Sequence, residues 1–167
     1  MAFKRKRYTS EEARLKMAEL CARSEQSEYD ISQKLYKYGI SAQERVEIIG
    51  YLIENKFIDN LRYAKSYAKD KCRFSGWGPF KIRYALSAKR IDSSDISEAL
   101  EEIEEEQWEE ALNKAAISKA SKLDLNGENS RDERLKLYRF LLSRGFESEK
   151  AKNAVKAMIL KQKKEKK

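Results

Sequence analysis

The apolar positions of the chain repeat three times in one register. Leu35, Gly39 and Ile40 align with Leu86, Arg90 and Ile91 at an offset of 51, and these with Leu141, Gly145 and Phe146 at a further offset of 55. The same register places Ile31 on Ile82 and Leu137, Ile49 on Leu100 and Val155, and Leu52 on Ile103 and Met158. Upstream, Ala13, Met17 and Cys21 fall on Ala64, Ala68 and Cys72. Apolar residues three and four apart mark one face of a helix, and a repeat of about 50 residues marks a tandem array. The four residues that lengthen the second offset fit the loop Leu125-Asn126-Gly127-Glu128-Asn129.

Each copy reads as three helices. In the first, Thr9 or Ser10 caps a helix to about Ser24, and Glu12 completes a capping box with Thr9. Ser27 caps a second helix that runs to Tyr38 and ends with Gly39 in the left-handed position after the last turn. Ser41 with Glu44 opens a third, predicted to carry Val46, Ile49, Leu52 and Ile53 on one face. In the second copy Asp59 caps a helix to about Arg73, Ser75-Gly76-Trp77-Gly78 is a turn, Pro79 takes the first helical position, and Asp92 opens the next helix. In the third, Ser130 and Glu133 predict another capping box and Gly145 repeats Gly39. No glycine or proline interrupts Asp92 to Lys122. One long helix would satisfy that stretch; the repeat predicts a break near Glu105 to Trp108.

Composition supports this all-α reading and narrows the chemistry. One proline and six glycines in 167 residues are too few for the turns of a β protein. No stretch approaches the roughly 20 apolar residues of a membrane helix, and no apolar signal core follows Lys4 to Arg7, so a cytoplasmic protein is expected. There is no histidine, which removes imidazole catalysis and imidazole zinc sites. Two cysteines are too few for a disulfide scaffold or a four-thiolate metal site, and their equivalence in the repeat makes them buried free thiols. With no Gly-rich phosphate loop and no nucleophile beside a base, the expectation is no catalytic residue, no metal and no cofactor.

The net charge of +8 sits entirely at the two ends. Residues 1–8 carry +4 from Lys4, Arg5, Lys6 and Arg7, and residues 161–167 carry five lysines against Glu165; both ends are expected to be disordered arms attracted to nucleic acid. Deleting both should flatten the salt dependence of any DNA binding. The body between is neutral but bipolar: residues 56–90 hold ten basic and two acidic residues, and residues 91–110 hold ten acidic and no basic ones.

Arg62, Lys65, Lys69 and Arg73 recur at helical spacing on one predicted helix, with Lys81, Arg83, Lys89 and Arg90 on the next. Such a stripe suits phosphates or an acidic protein face, or is a solvated helix face. Trp77, between two glycines, is suited either to stacking on a base or filling a partner's pocket, or to stapling its turn to the core. Tyr63, Tyr67 and Phe74 read as core or half-buried. The acidic run Glu98 to Glu110 lacks the converging loop oxygens of a Mg²⁺ or Ca²⁺ site, and is expected to pair with the basic block of a neighbouring repeat or of the partner.

The middle copy, Tyr51-Leu52-Ile53-Glu54-Asn55-Lys56-Phe57-Ile58-Asp59, then Arg62-Tyr63-Ala64, Tyr67, Arg73, Gly76-Trp77-Gly78, Lys81-Ile82, Leu86, Lys89 and Ile91, resembles the RecX family of bacterial regulators of the RecA recombinase. Arg23, Ser27, Glu28, Leu35 and Gly39 resemble that family's first repeat, so the likeness covers roughly residues 10–160. It departs at Asn60, where the family usually has an acid, at Ala85, where it has glutamate, and at Arg90, where it has glycine. A left-handed arginine costs about 1 kcal/mol more than glycine, which puts the geometry of that turn in question.

The resemblance implies three tandem three-helix repeats that bind in the groove of the RecA filament on DNA and damp its ATPase and strand exchange, in homologous recombination, DNA repair and the SOS response. The expected division is a basic arm at 1–8, repeats at 9–56, 57–104 and 105–160 stacked as an elongated curved array, and a basic tail at 161–167. The expected partners of this monomer are the RecA filament, through Arg62, Lys65, Lys69, Arg73, Trp77, Lys81, Arg83, Lys89 and Arg90, and DNA, single- or double-stranded. The alternative is a general nucleic-acid-binding helical protein acting through the stripe and the tails; a scaffold for a protein unrelated to DNA is a third class.

Overall fold

A computed structural model describes residues 8–165 and contains, among them, nine α-helices and no strand. In chain order they are α1 (Ser10–Arg23), α2 (Glu28–Lys37), α3 (Ala42–Glu54), α4 (Asn60–Ser75), α5 (Pro79–Ala88), α6 (Ser93–Glu101), α7 (Glu105–Ala120), α8 (Ser130–Ser143) and α9 (Ser148–Glu165). None is long and apolar enough to cross a membrane. The cations Lys4 to Arg7 lie outside the described residues, as do Lys166 and Lys167.

The helix starts follow local chemistry. Thr9 accepts from the Glu12 amide while the Glu12 carboxylate accepts from the Thr9 amide, and Ser41 and Glu44 make the same reciprocal pair. Ser27 Oγ accepts from Asp30 N and is itself fully buried, and Asp59 Oδ1 accepts from Arg62 N. Asn60, one of the departures from the family pattern, uses its Oδ1 to accept the orphan Glu28 amide of α2. At α8 the expected box does not form: Ser130 is already helical, Asn129 holds the cap position, and its main-chain oxygen takes Asp132 N and Glu133 N.

Three helix ends share one geometry. In each, the amide two residues past the last turn reaches back to a buried leucine carbonyl: Ile40 N to Leu35 O, Ile91 N to Leu86 O, and Phe146 N to Leu141 O, at 3.2–3.3 Å. The intervening residue is left-handed in all three, with φ of +81° at Gly39, +58° at Arg90 and +89° at Gly145. Arg90 thus adopts the glycine conformation despite its side chain.

The chain forms two compact units, one of the residues up to Ser66 with Leu86–Glu98, the other of Tyr67–Ala85 with the residues from Ala99 onward. α4, α5 and α6 each contribute to both. In the first unit, α3 packs on α1 and α2 around Ala13, Met17, Ile31, Leu35, Ile40, Ile48, Leu52 and Ile58. Of the expected face of α3, Leu52 is fully buried and Ile49 packs partly buried against the core, but the second buried position is Ile48 rather than Val46 or Ile53. Val46 is 68% exposed and Ile53 45%, because each lies about 200° or 100° around the helix from the Ile48–Leu52 line.

In the second unit, α7, α8 and α9 pack mutually, burying Ala116, Leu125, Leu137, Leu141, Ala151 and Met158 among others. The break between α6 and α7 falls at 102–104, with Glu104 as the cap of α7, just ahead of the predicted place. Residues 161–165 continue α9 and are not a disordered tail. The reason is Gln162: its amide donates to Ala120 O and Leu123 O, 2.9 Å each, and its oxygen accepts from Leu125 N. One side chain thus closes the C-terminus of α7 and ties down the loop carrying fully buried Leu125.

Also in the second unit, the turn before α5 meets the turn after α8 backbone to backbone. Gly78 N donates to Arg144 O at 2.7 Å, Phe80 N to Gly145 O at 3.1 Å, and the Arg144 guanidinium to Ser75 O at 2.9 Å. A Cβ on Gly78 would lie 2.4 Å from Gly145 O, and one on Gly145 2.3 Å from Lys81 N. Two glycines 67 positions apart are needed for this approach.

Candidate functional site

Arg62, Lys65, Lys69 and Arg73 share one face of α4, as predicted, but the first three are held by carboxylates. In the first unit Arg62 Nε donates to Glu25 Oε1 at 2.6 Å and its guanidinium to Lys56 O at 3.1 Å, closing the turn after α3. That hydrogen bond to Glu25 raises the Arg62 pKa further above its ordinary value. Lys65 Nζ lies 2.7 Å from Glu98. Lys89 donates to both oxygens of Asp30, at 2.6 and 2.9 Å. Burial pulls the Lys89 pKa down, but Asp30 and Tyr63 outweigh it and leave it above the usual lysine value. Arg90 lies over the Tyr29 ring at 5.2 Å.

In the second unit, Lys69 Nζ is 2.9 Å from Glu102. The acidic run thus supplies two partners, Glu98 and Glu102, to the basic helix of its own repeat. Arg73 is exposed and adds to the hydrogen bond of Lys114 in holding the Glu110 carboxyl below its usual range. These residues border a cleft of about 330 Å³ with Cys72 at its wall. Burial pushes the Cys72 thiol up to about 11, and its Sγ points to Gln107 O at 3.6 Å. A thiol so fully protonated at neutral pH is a packing group, as expected of Cys72; Cys21, expected to be buried too, is a free thiol but only half-buried, and burial likewise raises its pKa.

Trp77 gathers two cations on its ring, as Phe140 of the same unit does with Lys119 and Arg144. The tryptophan is half-buried, its amide donates to Lys71 O at 3.1 Å, and two ammonium groups face its ring, Lys81 at 4.6 Å and Lys71 at 5.0 Å. Each such pairing is worth about 0.5–1 kcal/mol at a wet site and holds the cations beside the ring. Phe74 is 74% exposed, against the expectation of a core or half-buried side chain; Tyr63 is buried and Tyr67 half-buried, as expected. Arg73 lies 5.3 Å from the Phe74 ring. On α5, Phe80 and Tyr84 are 61% and 77% exposed, flanking Arg83.

Sequence reading missed Lys71, Phe80 and Tyr84. The signal lay in the period: Ile82 and Leu86 are the fully buried line of α5, and residues two positions away fall about 200° around the helix. Aromatics placed there point to water.

The chain is similar to several known proteins. Residues 59–100 match the family model described as RecX, second three-helix domain, and residues 105–155 that of RecX, third three-helix domain. The chain is 32% identical over 145 residues to a regulatory protein RecX of Clostridium tetani, covering 87% of this chain and 65% of that one. It thus spans under two thirds of the length of that relative. A regulatory protein RecX of Vibrio vulnificus is 30% identical over 139 residues, covering 82% of this chain and 86% of that one. A crystal structure of regulatory protein RecX matches with a TM-score of 0.72 at 26% identity, over 84% of this chain and 70% of that one. The RecX structure from Lactobacillus salivarius shares the fold, with a TM-score of 0.73 at 22% identity, over 90% of this chain and 97% of that one. With its α4 to α9 segment matched by two domain models and a relative of its own length at 30% identity, this chain belongs to the RecX family of regulatory proteins.

Proposed function

We propose that the chain is a non-catalytic inhibitor of the RecA recombinase that binds the RecA–DNA filament in the cytoplasm and damps its ATPase and strand exchange. It acts as a monomer, without cofactor, by occluding the filament and altering its stability. Family membership is the observation that carries this reading. The second unit supports it: the Trp77 ring with two ammonium groups on it, and exposed Phe74 on α4 and Phe80 and Tyr84 on α5, supply anchors for a protein pocket and charge for a phosphate backbone. Among the expected contact residues, Trp77, Lys81, Arg73 and Arg83 are the proposed contacts of this surface. Arg62, Lys65, Lys69 and Lys89 work chiefly inside the fold. The repeats at 9–56, 57–104 and 105–160 are the proposed inherited units.

The test is DNA-dependent ATP hydrolysis by RecA near physiological salt, with this protein at substoichiometric amounts, beside a direct DNA-binding titration. Inhibition is expected at levels too low to coat the DNA, and W77A should raise the concentration needed by about ten-fold or more. K65A should raise it less than about three-fold, the scale of an exposed ion pair. Inhibition only when the DNA is saturated would instead identify a general nucleic-acid binder, whose affinity falls steeply with salt in the absence of RecA.

A further inference from the structure

The turn after α5 holds an arginine where its two counterparts hold glycine, and that arginine reaches a cleft. Gly39 and Gly145 take the left-handed conformation freely, while Arg90 takes it at φ +58° against the steric preference of its Cβ. Glycine would make the same turn without strain, so all that the arginine adds is its guanidinium. Strained backbone of this kind gathers at binding sites.

The guanidinium lies over Tyr29 beside a cleft of about 340 Å³ in the first unit. A second guanidinium, Arg45, lines the same cleft, positioned by its hydrogen bond to Ile40 O at 3.0 Å and by the Tyr36 ring at 5.3 Å. Among the described residues neither arginine has a carboxylate partner, whereas Lys89 beside them is occupied by Asp30. Stacking fixes the plane of a guanidinium; Arg90 offers its N–H fork to a bidentate acceptor, and Arg45 offers the N–H groups not taken by Ile40 O. The rest of the wall mixes polar Glu28, Ser32, Gln33 and Asn60 with an aliphatic strip of Ala42, Val46 and Ile49, of which Val46 is 68% exposed.

We propose that this cleft binds an acidic peptide segment, its carboxylates on Arg45 and Arg90 and a neighbouring apolar side chain on Val46. A nucleic-acid backbone fits less well, because it offers nothing to the aliphatic strip of Ala42, Val46 and Ile49. The site is separate from the Trp77 grouping and does not rest on the reading of that surface.

The test is fluorescence anisotropy of the full chain with a labelled peptide of glutamates flanking single leucines, against its glutamine counterpart and an oligothymidylate. The acidic peptide should bind about ten-fold or more tightly than the glutamine peptide, and R90G should abolish that margin. R90G relieves the strained turn, so its Tm should equal or exceed that of the wild type, which separates lost recognition from lost folding. V46S should weaken the peptide several-fold with little change in Tm. Equal affinity of the two peptides, no binding, or binding unmoved by R90G overturns the proposal. Arg90-dependent binding of the oligothymidylate in place of the peptide also overturns it, by making the site one for phosphates.

Discussion

Gly39 and Gly145 close equivalent turns, yet replacing each by alanine should have very different consequences. At Gly39 a Cβ meets nothing within 4 Å, so G39A bears only the left-handed backbone preference, about 1 kcal/mol. Arg90, a non-glycine in the same turn, shows that this geometry accepts a side chain. At Gly145 the added carbon would sit 2.3 Å from Lys81 N and 2.5 Å from Lys81 Cβ. The two turns must then separate, breaking the Gly78 N to Arg144 O and Phe80 N to Gly145 O bonds. An unmade bond in a buried setting costs about 1–3 kcal/mol. With the left-handed preference added to two lost bonds, G145A should destabilise by about 3–7 kcal/mol, and urea unfolding followed by helical circular dichroism reads both variants against the wild type. G78A strikes the same approach from the other side, so the double variant G78A/G145A should cost less than the sum of the singles. Equal losses for G39A and G145A would refute the backbone contact.

Two further outcomes follow from single side chains. Q162A leaves the carbonyls of Ala120 and Leu123 and the amide of Leu125 without their partner, and should cost about 1–3 kcal/mol, measured by thermal melting; a neutral effect would mean that α9 ends before this turn. The Cys72 thiol, pushed up to about 11 by burial, is neutral in the folded state where the unfolded thiol ionises. The stability from keeping it protonated is whole below about pH 8.5 and is lost as pH rises through about 11. The stability difference between wild type and C72A should therefore shift against the wild type by about 2 kcal/mol over that range; a constant difference would show that Cys72 is not desolvated.

The order of helices and most of the caps could be read from the chain because they are local. Thr9, Ser27, Ser41 and Asp59 each bond an amide three residues on, and the repeat aligned Leu35, Leu86 and Leu141, all fully buried. Spacing alone placed Leu52 and Ile49 of α3 rightly but chose Val46 and Ile53 over Ile48, since Ile48, Ile49, Leu52 and Ile53 allow two apolar stripes and only the position of α1 and α2 selects between them. The chemistry of the basic residues was equally ambiguous. Lys65 and Lys69 pair across 33 residues and Lys89 pairs across 59, so folding decides which cations are occupied and which face water. The acidic block could be seen as a partner for the basic one, but which carboxylate meets which lysine could not.

What the sequence by itself determined is therefore the all-α class, the three-part repeat, the caps and the family, all carried by short-range spacing and by pattern. Only the tertiary structure decided that Gly78 and Gly145 must both be glycine, that Gln162 closes α7, that Phe80 and Tyr84 face water, and that Arg90 accepts a strained turn above a cleft. Each depends on backbone segments distant in sequence arriving within a few ångströms, or on which side of a helix its neighbours leave uncovered, and hydrophobic periodicity carries no distance between segments.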